Sequence, residues 1–419
     1  MRIAIFTDAY WPSVNGVSVS VDTYAHALAG KGHDVLIVCN EYPQNGPGAQ
    51  PRGKAEAETA GSLTLLRVPS GVVFFSHEDR AAHFRERGRV EAALDSFGAE
   101  VLHVNTEFVI AGFGFKYGRK RRLPVIFTFH TMWEEYIANY FPYIPKAILI
   151  RFTRWYMRRI FMQADVLVAP SMQALQMLKG YQTGKLLEHL PTGVDPALFR
   201  HSAEELARFR ADMEARFPAL AGKRILLFAG RVAYEKNISL IIALMREWRG
   251  RCGDLILMIA GDGPYLDYHR AEAKKLGVEA ACVFTGYLPR EELSCCYGIS
   301  KVFLLPSTTE TQGLVTIESM LSGVPVVAIG AMGTLEVMGG DNGGFMVPDD
   351  SAVFRDRVFD LLEDEELYRR KSEEARRHAQ AWTVDALSGK LVDIYHSAII
   401  RGKSGSFAVG SNTPPLCGG

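Results

Sequence analysis

The feature that most restricts the fold is a regular alternation of short apolar runs with helix-like segments, which occurs in both halves of the chain. Strands that alternate with helices form parallel sheets covered on both faces. The sequence therefore predicts an α/β chain with two doubly wound sheets, one in each half. The first-half strands are predicted at Arg2–Phe6, Val35–Cys39, Leu63–Val68, Val101–Val104, Val125–Phe129 and Val166–Ala169. Those of the second half are predicted at Arg224–Phe228, Leu255–Ala260, Val283–Thr285, Val302–Leu305 and Val326–Ile329.

The length of 419 residues is too great for one hydrophobic core, so at least two domains are expected. A turn-rich segment at Pro191–Pro196 places the boundary between a domain of residues 1–195 and a domain of residues 196–384. A charged helix at Glu204–Phe217 follows it. The last residues, 401–419, are rich in Gly, Ser, Asn and Pro and are predicted to be a disordered tail.

Composition excludes several classes of protein. Lys+Arg and Asp+Glu both number 47, so the whole chain has no electrostatic preference for nucleic acid. The sequence contains no apolar run of about 18 residues, the length that a membrane-spanning helix needs. The six cysteines lack both Cys-x-x-Cys pairs and zinc spacing, which favours reduced thiols and a cytoplasmic location.

The segment from Thr309 to Met320 follows the predicted strand Val302–Leu305 and turns helical after Gly313. The N–H groups at such a helix start point toward an anion, which makes this a candidate phosphate site. Glu310 precedes the helix start and Glu318 lies inside the helix, roughly 12 Å away if the intervening residues are all helical. That separation is too large for the paired acids of glycoside hydrolysis. It suits the two ends of one ligand.

Two cations follow the first strand of the second half, Arg231 and Lys236. Solvated surface charge is the usual role of these residue types. Here, however, both precede a helix start and lie at the end of a strand, where they would meet the same diphosphate. Positioned cations stabilise the charge that develops on a departing phosphate. We therefore interpret the pair as phosphate-binding.

Four further positions fall at predicted strand ends, and each also has an ordinary structural explanation. Gly16 is either a turn glycine or a place where backbone approaches a diphosphate. For His130 the ordinary explanation is a hydrogen-bonded loop residue at the end of a strand. For Gly261-Asp262-Gly263 it is a tight turn, and Leu288 follows another strand.

Taken together, Ser-x-x-Glu-x-x-Gly-Leu-Val-x-x-Glu, ending at Glu318, the Arg231-x4-Lys236 pair and His130 resemble the retaining family-4 glycosyltransferases of the GT-B fold. That resemblance implies two Rossmann-like domains facing a central cleft, with a C-terminal helix at about 385–400 crossing back to the first. It implies an acceptor-side first domain and a nucleotide-sugar-binding second domain. The residues implied in catalysis are His130, Arg231, Lys236 and Glu310. Those implied in donor binding are Gly16, Asn237, Gly261, Asp262, Gly263, Leu288, Gln312, Gly313, Leu314, Val315 and Glu318.

The sequence has no Asp-x-Asp pair placed after a strand as metal-dependent nucleotide-sugar enzymes require. If Arg231 and Lys236 neutralise the diphosphate, no Mg²⁺ is needed. We therefore expect no metal site and no cofactor, with the UDP-sugar as a substrate.

Residues 116–161 carry ten Lys/Arg and two Glu, a local excess of eight positive charges, interleaved with aromatic residues. On a helix, Arg151, Arg154 and Arg158 share one face, while the residues of a second face are Leu149, Phe152, Tyr156 and Ile160. A basic amphipathic segment rich in aromatics is typical of binding to an anionic membrane surface. A buried apolar stripe with solvated arginines fits the pattern equally well.

Phe129–Tyr136 and Thr309–Gly313 resemble the bacterial diacylglycerol glucosyltransferases, peripheral membrane enzymes that use UDP-glucose. The resemblance implies retaining hexose transfer from UDP-glucose to a lipid such as diacylglycerol at the inner face of the cell membrane. The alternatives are a soluble sugar acceptor, a phosphatidylinositol-type acceptor or a sulfoquinovose donor. A GT-B epimerase, a phosphorylase and a non-catalytic UDP-sugar sensor also remain open.

Overall fold

The structure, a computed structural model, describes residues 1–13, 15–42, 61–73, 76–131, 133–134, 137, 144–310 and 312–404. The chain forms two compact units. The first unit contains Met1–Gly193 together with the chain from Leu387 onward, and the second unit contains Val194–Ala386. The sequence-based boundaries at 195/196 and 384/385 lie close to these divisions.

The first unit is built on a seven-stranded sheet with the order β3-β2-β1-β6-β7-β8-β9, in which all pairings are parallel. A separate antiparallel hairpin of β4 and β5 accompanies it. Alternate residues of β1 face opposite cores, because side chains of a strand alternate between the faces of the sheet. The strands are β1 Arg2–Thr7, β2 Asp34–Asn40, β3 Leu63–Val68, β4 Ser70–Val73, β5 Ser76–Ala82, β6 Val101–Val104, β7 Val125–Thr128, β8 Val166–Ala169 and β9 Leu186–His189.

Helices cover both faces of this sheet. One of them is C-terminal: helix Val384–Ser404 contributes Leu387, Leu391, Tyr395 and Ala398 to the core formed with β1, β2 and the helix after β1. The predicted tail thus starts later than residue 401, since 401–404 are helical; residues 405–419 lie outside the described part. The other helices of this unit whose two ends both lie within the described residues are Gly16–Gly30, Arg87–Phe97, Val109–Arg121, Lys146–Phe161 and Met172–Gly180.

The second unit repeats the plan with a six-stranded parallel sheet of order β12-β11-β10-β13-β14-β15. Two apolar cores flank it. The strands are β10 Arg224–Ala229, β11 Leu255–Ala260, β12 Cys282–Gly286, β13 Val302–Leu305, β14 Val326–Ile329 and β15 Gly344–Val347. The helices are Ala203–Arg216, Ile238–Arg251, Leu266–Lys275, Arg290–Gly298, Leu314–Leu321, Met332–Met338, Ser351–Glu363 and Glu365–Ala379.

The prediction of two doubly wound parallel sheets is confirmed. Four strands were not predicted, namely β4, β5, β9 and β15. β9 reads Leu-Leu-Glu-His and is only half-buried at an edge of its sheet, so it lacks the continuous apolar run of the central strands.

In each sheet the strand order reverses at one point, between β1 and β6 in the first unit and between β10 and β13 in the second. Connections leave toward opposite sides at such a point, which opens a crevice at the carboxyl ends of the two strands. Ligands of doubly wound sheets bind there. Both candidate regions described below lie at these reversal points.

Candidate functional site

The second unit brings two of the predicted residues into direct contact at its reversal point. Lys236 follows β10, Glu310 follows β13, and the Lys236 Nζ lies 2.7 Å from the Glu310 Oε1. Only 19% of the lysine side chain and 15% of the glutamate side chain are exposed. A lysine and a carboxylate separated by 74 residues are therefore held together at the strand ends.

The helix that follows Glu310 begins without a side-chain cap. Helix Leu314–Leu321 has Gly313 as its N-cap, with φ 64° and ψ 36°, a left-handed conformation that favours glycine. The first bond into the helix is the N–H of Thr316 donating to the Gly313 carbonyl at 2.9 Å. Within the described residues, the N–H groups of Leu314 and Val315 donate no hydrogen bond to the chain. This is the arrangement that accepts an anion.

Gly333, at the start of the helix after β14, fixes the shape of this loop, and sequence reasoning did not identify it. Its N–H donates to the Glu310 carbonyl at 2.7 Å. A Cβ at position 333 would lie 2.7 Å from that carbonyl oxygen and 2.8 Å from the backbone of Gln312. The only signal in the sequence was a glycine just after an apolar run, which is too common to be specific.

Arg231 is exposed in the loop after β10 and has no hydrogen bond or ion pair with any described residue. Asn237 occupies a left-handed position with φ 52° at the start of helix Ile238–Arg251. Its Nδ2 donates to the Pro306 carbonyl at 3.4 Å, which ties the loop after β10 to the end of β13. Asn237 therefore has a structural role: its hydrogen bond holds the two loops of the site next to each other.

Glu318 lies on the inner part of helix Leu314–Leu321 and is held by two residues that the sequence did not indicate. The hydroxyl of Tyr297 donates to its Oε2 at 2.9 Å, and the guanidinium of Arg290 lies 3.9 Å from its Oε1. Burial raises the pKa of the Glu318 carboxyl, and the nearby Arg290 charge opposes that shift. Both partners belong to helix Arg290–Gly298, which connects β12 to β13. This helix therefore orients the Glu318 carboxylate.

The glycines of the loop after β11 allow two backbones to touch. A Cβ on Gly261 would lie 1.8 Å from the Gly230 carbonyl oxygen, and one on Gly263 would lie 2.2 Å from that of Val232. The loops after β10 and β11 are therefore in direct contact. Asp262 is exposed there.

Leu288 is buried in the core of the second unit. A ligand can meet only its main chain. Gln312 and Gly313 lie at the helix start already described.

In the first unit, His130 follows β7 and is half-buried. Its Nε2 lies 3.1 Å from the Oδ1 of Asn105, which follows β6. Burial lowers the pKa of His130 to about 4, so the ring is neutral at pH 7.

Gly16 is the first residue of helix Gly16–Gly30, with open space around the position that a Cβ would take.

The predicted membrane surface is formed around helix Lys146–Phe161, but its apolar face differs from the prediction. Leu149 and Ile160 are buried in the unit, whereas Phe152 and Tyr156 are exposed. The residues that the helix buries are Leu149, Thr153, Met157, Ile160 and Phe161, one stripe at helical spacing. The exposed apolar residues of the helix and its C-cap are Ile148, Phe152, Trp155, Tyr156 and Met162.

Basic residues border this exposed stripe. A groove of about 490 Å³ next to it is lined by Arg119, Trp155, Arg158, Arg159, Met162 and Gln163. Part of the predicted charge excess is neutralised, because Lys120 pairs with Glu91 at 2.5 Å and Arg121 with Asp95 at 2.6 Å. The predicted aromatics Tyr136, Tyr140, Phe141 and Tyr143 lie outside the described residues.

In the described part of the chain, no group of three or more His, Cys, Asp or Glu side chains is arranged to hold a metal ion. A search of the same residues found no helix long and apolar enough to span a bilayer.

Comparisons with known proteins agree with this architecture. Residues 14–198 match the family model "Glycosyltransferase Family 4", and residues 210–378 match "Glycosyl transferases group 1". The structure of Anabaena HepE in complex with UDP-glucose superposes with a TM-score of 0.66 at 16% identity, covering 95% of this chain and 100% of that one. The fold is therefore GT-B.

Two of the similar proteins match this chain over most of its length. An alpha-monoglucosyldiacylglycerol synthase of Streptococcus pneumoniae is 30% identical over 79% of this chain and 71% of its own length. A GDP-mannose-dependent alpha-mannosyltransferase of Mycolicibacterium smegmatis is 27% identical over 96% of this chain and 98% of its own. The chain belongs to the family-4 glycosyltransferases.

Proposed function

We propose that this chain is a retaining glucosyltransferase that transfers glucose from UDP-glucose to an uncharged membrane lipid such as diacylglycerol, without a metal ion. The first unit supplies the acceptor side and the membrane surface, and the second unit binds the donor. The enzyme works at the inner face of the cell membrane.

The observation that carries the proposal is the reversal point of the second unit. Three groups lie in loops at the ends of β10 and β13: a helix start without a side-chain cap, the ammonium of Lys236, and the guanidinium of Arg231, which pairs with no described residue. Together they supply positive potential for a diphosphate leaving group, the charge that glycosyl transfer must stabilise. They also make a divalent cation unnecessary for neutralising it.

Of the two carboxylates, Glu310 precedes the helix start and Glu318 belongs to the helix itself. Glu310, fixed by Lys236 and by the N–H of Gly333, is placed to accept hydrogen bonds from sugar hydroxyls. Glu318, oriented by Tyr297, is placed to accept from the ribose hydroxyls. Neutral His130 supplies a second contact to the sugar from the first unit. No protein nucleophile is required if a leaving phosphate oxygen takes the acceptor proton on the same face.

The choice of UDP-glucose as the donor is supported by the similar proteins. One is named for the synthesis of monoglucosyldiacylglycerol, and HepE is in complex with UDP-glucose. A mannosyl donor is the second candidate, because the relative covering 96% of this chain is GDP-mannose-dependent. The base is held through main-chain groups beyond β12, near Leu288, where few side chains distinguish the two.

The proposal of a lipid acceptor is supported by the exposed aromatic stripe of helix Lys146–Phe161, formed by Phe152, Trp155 and Tyr156. Phe152 is 61% exposed and Trp155 53% exposed, and arginines border them. Aromatic side chains that insert at the headgroup level, with arginines beside anionic lipids, bind a membrane surface. A lipid acceptor would be reached there without leaving the bilayer.

The transfer reaction is tested with vesicles that contain diacylglycerol and with radiolabelled UDP-glucose, UDP-galactose and GDP-mannose in separate reactions. We expect label in diacylglycerol from UDP-glucose, undiminished by EDTA, with an axial anomeric bond by NMR. Labelling from GDP-mannose alone would replace the donor assignment. Hydrolysis or epimerisation of the donor without any labelled lipid would overturn the proposed function.

Membrane binding is tested by flotation with vesicles containing about 30% phosphatidylglycerol. Burial of an aromatic side chain contributes roughly 1.5–3 kcal/mol, so the double variant Phe152→Ser/Trp155→Ser should bind at least about tenfold more weakly. Phe84→Ser is the matched control, an exposed aromatic of the same unit outside this helix. Equal binding of both variants would exclude the stripe as the membrane surface.

A further inference from the structure

The reversal point of the first unit holds a buried carboxyl group that has no role in the reaction described so far. Asn105, Thr106 and Glu107 follow β6, and Asp8 follows β1. This is the edge where a doubly wound sheet binds its ligand. Asn105 contacts His130, so the sugar-contacting histidine and Glu107 belong to the same loop cluster.

Glu107 is 3% exposed, and its Oε1 has no hydrogen-bond partner in the described part of the chain. The side chain of Trp133 donates to the carboxyl group. Nearly all buried polar atoms of native proteins are hydrogen-bonded. A carboxyl oxygen that no described residue bonds, at a ligand-binding edge, is therefore available to a bound molecule.

The charges around Glu107 determine what that partner is. Burial, with a smaller contribution from the Asp8 charge, raises the pKa of Glu107 to about 8, so the group is a neutral acid at pH 7. Tyr156 faces it from helix Lys146–Phe161, and Trp133 from the segment after β7. No Lys or Arg among the described residues pairs with it. Arg154, on the same helix as Tyr156, is paired with Glu134 at 3.6 Å.

Both carboxyl oxygens of Asp8 already accept hydrogen bonds from the protein. Its Oδ2 accepts from the Thr106 hydroxyl at 2.7 Å, and its Oδ1 accepts from the Ile110 N–H at 3.1 Å. Of these two buried carboxyl groups, Glu107 is therefore the one with an oxygen that no described residue bonds. A phosphate group placed there would meet Asp8 and no Lys or Arg that the structure describes as a partner, which is strongly unfavourable in a buried site.

Aromatic residues connect Glu107 to the exposed stripe. The Tyr156 hydroxyl donates to the Glu107 carbonyl at 2.9 Å, and the Tyr156 ring stacks on that of Phe152 at 6.5 Å between centroids. Phe108, also exposed, packs edge-on against Trp133 at 5.7 Å. The polar spot thus lies at the inner end of an apolar surface.

From this geometry we infer that Glu107 is a specificity-determining residue for the acceptor: it hydrogen-bonds an uncharged hydroxyl or ester oxygen of a glycerolipid and disfavours phosphorylated acceptors. The inference rests on the proposed function, in which the first unit supplies the lipid acceptor. Selection comes from the lack of a Lys or Arg partner among the described residues, combined with a carboxylic acid that matches a neutral polar group.

The test compares wild type, Glu107→Gln and Glu107→Leu, with Asp165→Asn as a control acid of the same unit. Transfer to dioctanoylglycerol is measured from pH 6.5 to 9.5 at saturating donor. In wild type, KM for the acceptor should rise above pH 8 by up to tenfold per pH unit, as the group ionises. Glu107→Gln should abolish the rise and keep KM within about threefold at pH 7, and Asp165→Asn should keep the wild-type profile.

Glu107→Leu separates binding from a structural role. Loss of the hydrogen bond should raise the acceptor KM roughly ten- to a hundredfold, with KM for the donor unchanged. A purely structural acid would be replaced by leucine without loss of acceptor affinity, because its removal relieves an unpaired buried group. Unchanged acceptor KM in Glu107→Leu, or a wild-type pH profile in Glu107→Gln, overturns the inference.

A donor-free measurement distinguishes failure of this inference from failure of the proposed function. Binding of dioctanoylglycerol and of dioctanoylphosphatidylglycerol is measured by calorimetry, which requires no transfer, at about 1 M NaCl, because this salt screens the exposed arginines of the membrane surface. We expect wild type to bind the uncharged lipid at least tenfold more tightly, and Glu107→Leu to lose that preference. If wild type prefers the phosphorylated lipid, the inference is wrong whatever sugar the enzyme transfers.

Discussion

In both units a helix begins beside the point where the strand order reverses, yet the two helix starts are treated in opposite ways. In the first unit, helix Val109–Arg121 starts against the carboxylate of Asp8, which accepts from the Ile110 N–H at 3.1 Å. In the second, helix Leu314–Leu321 starts at Gly313 with no side-chain cap. In the first unit a carboxylate of the protein occupies the helix start, which we call the filled site. In the second unit no side chain caps the helix start, which we call the open site.

The surrounding charges follow this difference. The open helix start lies with an ammonium and an unpaired guanidinium, whereas the filled one lies with a buried acid that is neutral at pH 7 and a neutral imidazole. A helix start that has no acceptor of its own favours an anion. One that already has a carboxylate does not. This difference is the basis of the two proposals, a diphosphate at the open helix start of the second unit and an uncharged group at the filled one of the first.

The largest expected effect comes from removing the cations of the open site. Arg231→Ala and Lys236→Ala should each reduce kcat by roughly 10²–10³, the cost of losing one group that stabilises developing negative charge. Arg231 has no partner in the described residues, so its variant should unfold within about 0.5 kcal/mol of wild type. Steady-state kinetics and thermal unfolding are measured on the same preparations.

Lys275→Ala is the control for this comparison, since Lys275 is an exposed cation of the same unit at the end of helix Leu266–Lys275. It should keep wild-type kinetics. If Arg231→Ala also retains full activity, the open helix start is not where the leaving group is stabilised, and the contrast between the two units loses its functional meaning.

The open site was accessible to sequence reasoning because its residues carry strong local patterns. Lys236 and Glu310 each follow an unbroken apolar strand, and Gly313 precedes a clear helical period. The structure adds that Lys236 and Glu310 touch at 2.7 Å, and that Gly333 holds the Glu310 carbonyl. A contact across 74 residues depends on strand order, which the spacing of apolar runs does not specify.

The filled site was not accessible in the same way. Asp8, Asn105 and Glu107 look like ordinary loop residues in sequence, and only the adjacency of β1, β6 and β7 gathers them. On helix Lys146–Phe161 the error had a different cause. Apolar residues occur on more than one stripe of this helix, and only packing against the sheet decides that Leu149 is buried while Phe152 is exposed.

The second prediction concerns the neutral acid of the filled site. The pKa of Glu107 is raised from 4.5 to about 8, so between these values the unfolded chain releases a proton that the folded chain keeps. Stability contributed by the neutral form is therefore complete below pH 4.5 and is lost as pH rises to about 8. Glu107→Gln does not titrate and should exceed wild type in stability at pH 8.5 by an amount on the order of a few kcal/mol.

Urea unfolding at pH 4.5, 6.5 and 8.5 measures this effect. The difference between Glu107→Gln and wild type should grow with pH and level off above pH 8. A difference that stays constant across the three pH values would mean that Glu107 is ionised in the folded chain at neutral pH, and the filled site would then carry two negative charges.

The smallest effect tests whether the filled helix start needs a charge or only an acceptor atom. Asp8→Ala leaves the Ile110 N–H and the Thr106 hydroxyl without their acceptor and should lower the free energy of unfolding by about 1 kcal/mol or somewhat more. Asp8→Asn keeps an acceptor oxygen in place. Because burial raises the pKa of Asp8 to about 6, its charge is itself costly there, so the amide should be nearly neutral in stability at pH 7. Equal losses in both variants, measured by urea unfolding, would show that this helix start requires an anion just as the open one does, and the two units would differ only in where that anion comes from.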